Sequence, residues 1–299
     1  MHIDPLIVIT GFVVGVTVGV TGMGGGALMT PALVLLFNVQ PLAAISSDLM
    51  AAFVMKPVGG AVHLRRSTVH LGIVKWLLVG SVPSAFCGVL LLREFGEAED
   101  LQTNLRFAIG AALILAIAGL VGKAISDACR MTPSEENGVI EVRPLATVLV
   151  GVFGGLIVGM TSVGSGSVML VLLMGLYPGL TMNRLVGTDL VQAVPLVGAA
   201  AVGQLIFGDF RLALTIALLL GSIPGVYLGA RLSAVGNVHL IRWAVVVVLA
   251  ASATKLLGAN NTVLAIVVGM VLAIACATGL LMMGRGGRAR FTRLRTTQQ

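Results

Sequence analysis

The chain has 299 residues, 57% of them hydrophobic and 10% charged, with a mean hydropathy of +1.04. A water-soluble domain devotes roughly 25% of its residues to charge, so this composition excludes a soluble globule, which would lack the polar residues to coat it. The net charge of +7 gathers in one tail, "RGGRARFTRLRTTQQ" at Arg285–Gln299, with five arginines and no acid; without an aromatic stacking platform it reads as a cytoplasmic anchor beside anionic lipid, not as a nucleic-acid contact.

The N-terminal "MHIDP" lacks the basic start of a signal peptide, so the first apolar run is expected to remain in the mature protein. That run extends from Pro5 to Phe37 and is interrupted at Thr21–Gly26. Others follow at Leu42–Val62, Val69–Leu92 and Leu105–Ile125. A polar stretch covers Ser126–Pro144. Beyond it lie Leu145–Tyr177, interrupted at Thr161–Ser167, then Leu185–Phe207, Phe210–Leu232, Val238–Leu257 and Val263–Met283. Several runs exceed the ~18 apolar residues that mark a membrane-spanning helix. In lipid each backbone polar group must be satisfied inside its own helix or a closed barrel, and these runs are too uniformly apolar for alternating barrel strands. The two interrupted runs would each make a straight helix of ~50 Å against a ~30 Å hydrocarbon core. Each is therefore expected to be two shorter helices meeting at a non-helical joint.

The two halves repeat. "GVTGMGGGALM" at Gly19–Met29 aligns with "GMTSVGSGSVM" at Gly159–Met169, "SDL" at Ser47–Leu49 with "TDL" at Thr188–Leu190, and "GSVPSAFCG" at Gly80–Gly88 with "GSIPGVYLG" at Gly221–Gly229. Three motifs in one order at a nearly constant offset of 140 to 141 residues predict a tandem duplication. The expected fold is an all-α polytopic membrane protein of two homologous repeats, each opening with a glycine-broken helix, plus a C-terminal helix. Its parts are residues 1–125, a linker at 126–144, a second repeat at 145–257, an additional helix at 258–284 and the tail at 285–299. The basic loop shifts between the halves: Arg65 and Arg66 occupy the turn that corresponds to Gly208–Asp209, and the next loop, "REFGEAED", is acidic. With the arginine tail in the cytoplasm, that alternation favours inverted repeats, with an odd number of crossings per half.

At each break, backbone groups freed in oil need protein or a water-filled cavity around them. Glycine lets a ligand approach the backbone, and a helix starting there offers amide hydrogens and a positive dipole end to an anion. The candidate binding residues are Thr21, Gly22, Gly24, Gly25 and Gly26 at the first break, and Thr161, Ser162, Gly164, Ser165, Gly166 and Ser167 at the second. The flanking series Gly11, Gly15, Gly19 and Gly151, Gly155, Gly159 suit close helix packing instead. Ionisable groups within apolar runs are functional candidates. Asp48 and Asp189, at matching repeat positions, are expected to serve as a proton- or substrate-linked switch, or else as a helix N-cap or a structural bond at a helix start, with Ser47 or Thr188 beside it. Lys56, matched by Val197, and Gln192 join them as coupling or gating candidates, with Gln204 as a further neutral donor. His63 and His70 read as interfacial.

No catalytic constellation, Walker lysine or metal-ligand spacing is present, and the three cysteines are far apart, so no enzyme activity, cofactor or metal is expected. Taken together, the glycine-rich first segment recurring mid-chain and the "SDL"/"TDL" and "GS[VI]P" repeats resemble the TauE/SafE family, the sulfite exporter or toluene-sulfonate permease family, over roughly Pro5 to Met283. The second break departs from a glycine-rich pattern, reading "TSVGSGS". The resemblance implies a multi-pass plasma-membrane protein that moves sulfite, thiosulfate, sulfonates or related organic anions. The expectation is a secondary transporter working by alternating access, with a small anion and the lipid bilayer as partners, proton coupling as an added element, and no nucleic acid. A homo-oligomer is compatible with the sequence. The rival readings are an anion channel and a non-transporting membrane scaffold.

Overall fold

A computed structural model describes residues 4–21, 25–65, 67–94, 98–129, 141–232 and 238–276. Gly22, Gly24, Arg66, most of the polar linker and the arginine tail lie outside the described residues. All regular structure among the described residues is helical: α1 (Pro5–Thr21), α2 (Gly26–Leu36), α3 (Pro41–Arg65), α4 (Leu71–Glu94), α5 (Ala98–Cys129), α6 (Pro144–Thr161), α7 (Val168–Leu176), α8 (Met182–Phe207), α9 (Leu212–Leu232), α10 (Val238–Leu256) and α11 (Asn261–Cys276). Within them, five stretches are long and apolar enough to cross a membrane: Leu71–Leu92, Leu101–Gly122, Pro144–Thr161, Arg184–Phe207 and Leu212–Gly229. Both long runs break where glycine and serine accumulate. The first helix stops at Thr21 and the chain restarts at Gly26; the second stops at Thr161 and restarts at Val168.

The bundle is arranged for oil, not water. On α6, Leu145, Leu149, Val152 and Phe153 are exposed while Thr147, Gly151, Gly155 and Gly159 are buried. Large apolar side chains face outward, where lipid is the solvent, and small residues face the neighbouring helix, where contact between backbones supplies the attraction. Two seams use this device. In one, α1 lies along α9: Gly221 faces Val8 and Phe12, Gly225 faces Phe12 and Val16, and Gly229 faces Val16 and Gly19. In the other, α6 lies along α4: Gly80 faces Val148 and Val152, and Gly88 faces Leu156 and Met160. The flanking glycines are thus packing residues, as their spacing predicts, and the "GS[VI]P" motif supplies the opposite wall of each seam.

These contacts also fix helix directions. Residue numbers rise together along α1 and α9 and along α4 and α6, so each seam is parallel. Helix α4 also runs parallel to α8, since Ser81 meets Gln192 and Val89 meets Gly203. Helices α6 and α8 therefore run the same way, and the short α7 between them carries the chain back. By the same reasoning α1 and α3 share a direction and α2 returns, with α9 reversing from α8 across the short turn at 208–211. Helices α3 and α8, which match in the sequence repeat, pack antiparallel: Ser46 meets Gln204, Phe53 meets Gly198, Gly60 meets Leu190 and Val194, and His63 meets Gly187.

Candidate functional site

The second break is built by local rules. Helix α6 ends at Thr161 and is capped by Ser162, whose backbone is left-handed at φ 59° and whose amide donates to the carbonyl of Val158 at 2.8 Å. Gly164 and Gly166 follow at φ 117° and 116°, a region that only glycine occupies without strain. This lets the chain turn in a tight loop, and the amide of Met169 in α7 reaches back to the carbonyl of Gly164 at 3.1 Å. Every residue from Thr161 to Ser167 is buried. At the first break, Gly25 and Gly26 are buried and Thr21 is half-buried.

The two breaks touch. A side chain added at Gly26 would have its Cβ only 1.9 Å from the carbonyl oxygen of Ser162, so glycine is obligatory for this approach. Gly25 has more room: its nearest neighbours would be Met55 Cε at 3.7 Å and Val18 Cγ2 at 3.8 Å. Helix α3 runs beside the junction. Asp48 Oδ2 accepts hydrogen bonds from Thr30 Oγ1 of α2 and from Ser162 Oγ, both at 2.8 Å. Two turns further on, Lys56 Nζ donates to the Ser165 carbonyl at 3.2 Å and to its hydroxyl. One helix of the first repeat is thereby bonded to the break of the second. Lys56 also lies within electrostatic reach of both Asp48 and Asp189.

Asp189 occupies the matching place on α8 but is held differently. Gln192 Nε2 donates to its Oδ1 at 3.1 Å, and Ser81 of α4 donates to Gln192 Oε1 at 3.3 Å. The cap alternative for the two aspartates does not hold. Helix α3 begins at Pro41 and α8 at Met182, so both carboxylates stand inside their helices and bond across or along them. Gln204 ties three helices, accepting from Ser46 Oγ at 2.9 Å and donating to the Gly159 carbonyl at 3.4 Å. The hydroxyls of Thr21 and Thr161 turn back onto the carbonyls of Thr17 and Ile157 at 2.7 Å, and that of Ser162 is committed to Asp48. Thr30 and Ser81 were not among the sequence candidates. The available signal was a lone buried hydroxyl in the otherwise apolar helix "GALMTPALVLL".

Apolar helices facing outward, breaks of glycine and serine turned inward, and buried charged residues bonding across repeats are the features of a polytopic membrane protein with a polar interior. The chain belongs to the family described as sulfite exporter TauE/SafE, whose model matches residues 7–256. It is similar to the probable membrane transporter protein YjnA of Bacillus subtilis (strain 168), at 36% identity over 229 residues, 76% of this chain and 89% of that one. It is also similar to the probable membrane transporter protein YdhB of the same organism, at 25% identity over 76% of this chain and 89% of the relative. A 78-residue stretch is 37% identical to the probable membrane transporter protein YunE, covering 26% of this chain and 27% of that one. No solved structure matches the chain. The protein is accordingly a multi-pass helical membrane protein of a transporter family.

Proposed function

We propose that this protein is a secondary transporter of a small anion, of the sulfite, thiosulfate, sulfonate or related organic kind, working by alternating access between two inverted repeats. The observation that carries this reading is the junction of the two breaks, Gly26 against Ser162, beside the buried ammonium of Lys56. Helix starts at Gly26 and Val168 supply amide donors and a positive dipole end. The hydroxyls of Ser165 and Ser167 and the glycine backbone at Gly25, Gly164 and Gly166 add to the cradle. Thr21, Thr161 and Ser162 would join it by exchanging their present internal bonds. Discontinuous helices meeting where repeats face each other are a recurrent substrate site of secondary transporters.

Inversion is supported by the antiparallel packing of the repeat-equivalent helices α3 and α8, and by the exchange of partners in which α1 takes α9 as α6 takes α4. The arginine tail favours a plasma-membrane orientation with the C-terminus in the cytoplasm. Proton coupling would fall to Asp48 or Asp189, with Lys56 and Gln192 as gating neighbours.

Purified protein is expected to gain thermal stability with thiosulfate, sulfite or a sulfonate, since a ligand of the folded state adds RT ln(1 + [L]/Kd). In proteoliposomes the anion flux should saturate, which separates a carrier from a channel. Gly25→Leu should abolish that flux while the protein still inserts and stays monodisperse. Unchanged flux in this variant removes the junction from the site, and dependence on the arginine tail instead of the junction would favour a scaffold.

A further inference from the structure

We infer that Asp48, and not its repeat counterpart Asp189, is the residue that binds the coupling proton, so that the anion and a proton occupy the junction together. This rests on the anion-transport reading above. Asp48 is fully buried, and its two oxygens have unequal surroundings. Thr30 and Ser162 both donate to Oδ2, whereas Oδ1 is buried with no hydrogen-bond partner. An ionised carboxylate spreads its charge over both oxygens, and in an apolar interior each then needs a donor. A neutral acid needs donors only at its carbonyl oxygen, and its unpaired hydroxyl costs far less in an apolar interior than an unpaired charged oxygen. Two donors on Oδ2 and none on Oδ1 is the arrangement of a carboxylic acid with its proton on Oδ1.

Asp189 differs because an amide donor, the Nε2 of Gln192, holds its Oδ1 at 3.1 Å, and Ser81 holds Gln192 in turn. That chain suits a standing negative charge. The charge count then produces coupling. The buried charged groups among the described residues are Asp48, Lys56 and Asp189. From the elements packed on α3, α8 contributes Asp189, α2 contributes the Thr30 hydroxyl, and α5 and α9 contribute no buried charged group among the described residues. With Asp48 protonated, Lys56 and Asp189 balance and an anion can enter. With Asp48 ionised, the junction holds an extra negative charge beside the incoming anion, which a low-dielectric site penalises strongly. Proton and anion therefore favour each other's binding, and the linkage is reciprocal. Thr30 and Ser162 place the carboxyl between α2 and the second break, so its protonation state acts on both broken elements.

The test reconstitutes the full chain in proteoliposomes with thiosulfate, whose charge is constant across the physiological pH range. Wild-type protein should accumulate thiosulfate when a pH gradient is imposed, with proton entry seen by an internal pH dye. Asp48→Asn should lose this accumulation and the proton signal but still exchange thiosulfate for thiosulfate, at a rate that no longer varies with pH. Asp189→Asn removes a charge that Lys56 balances and so should weaken accumulation, but its thiosulfate exchange should still vary with pH, because Asp48 remains to take up the proton. Accumulation surviving in Asp48→Asn, or pH-independent exchange in Asp189→Asn, overturns the assignment while leaving anion transport standing. Absence of saturable thiosulfate flux in the wild type overturns both. Should Asp48→Asn fail to insert, Ser162→Ala serves instead. It removes a donor that favours the ionised form, so the pH profile of exchange should move to more alkaline values, and an unmoved profile contradicts the proposal.

Discussion

Gly80 of α4 lies against Val148 of α6, and Gly221 of α9 lies against Val8 of α1, the same contact made twice at the repeat offset. Beside the breaks, equivalent positions do not match. Lys56 corresponds to Val197 and Gln192 to Ala51. Thr188 accepts the amide of His70 at 3.0 Å, yet the hydroxyl of its counterpart Ser47 is buried without a partner. Ser81 is bonded to Gln192, whereas its counterpart Ser222 is buried and unpartnered, because the residue that would serve it is Ala51. Packing between backbones is set by small residues, and these recur at the same offset in both seams. The polar interior does not recur: one half holds the lysine and the other the glutamine. On the proposed reading, the scaffold lies in the symmetric seams and the anion site where that symmetry is lost.

The largest effect should come from breaking a seam. A Cβ at Gly159 would sit 2.1 Å from the Ala85 carbonyl, and one at Gly229 would sit 2.2 Å from the Val16 carbonyl. Gly159→Leu and Gly229→Leu should each cost about 3 kcal/mol, the upper end of overpacking costs, because the clash is with backbone, and both should lose monodisperse protein in size-exclusion chromatography. If only one did so, the seams would not be equivalent. Lys56→Met comes next. It should raise the KM for anion flux by about tenfold or more, the order expected from losing a charged contact. Val197→Ala, at the matching place, trims a buried core side chain and should lower stability, but it removes no charge and should change KM by less than about twofold. Equal effects at the two positions would remove Lys56 from the site. The smallest pair concerns the two serines. Ser81→Ala strands the Gln192 carbonyl and should lower stability by ~1–3 kcal/mol. Ser222→Ala deletes a group with no partner and should be neutral or slightly stabilising in thermal denaturation. The reverse order would contradict the hydrogen-bond pattern described.

Much of the scaffold is legible in the sequence because lipid simplifies the rules. Both breaks appear where glycine interrupts runs too long to cross, and the seam glycines appear as spacings of four. The same sequence does not reveal what meets at the centre. Asp48 finds its donors 18 and 114 residues away, and Lys56 finds Ser165 109 residues away, separations that only the antiparallel crossing of α3 and α8 and the return of α2 and α7 bring together. Thr21 and Thr161 illustrate a second limit. Threonine within a helix satisfies itself on the carbonyl four residues back, so a hydroxyl beside a break need not face into it. Polarity marks where a site is, and geometry decides which polar groups remain available to it.

The most direct test concerns Gly26, whose missing side chain lets the two breaks touch. Saturable thiosulfate flux should be measured in proteoliposomes holding equal amounts of correctly inserted wild-type and Gly26→Ala protein. Flux in the wild type and none in Gly26→Ala, with the variant still monodisperse, is the predicted result. Equal saturable flux in both proteins would contradict the claim that the anion is held where the breaks meet.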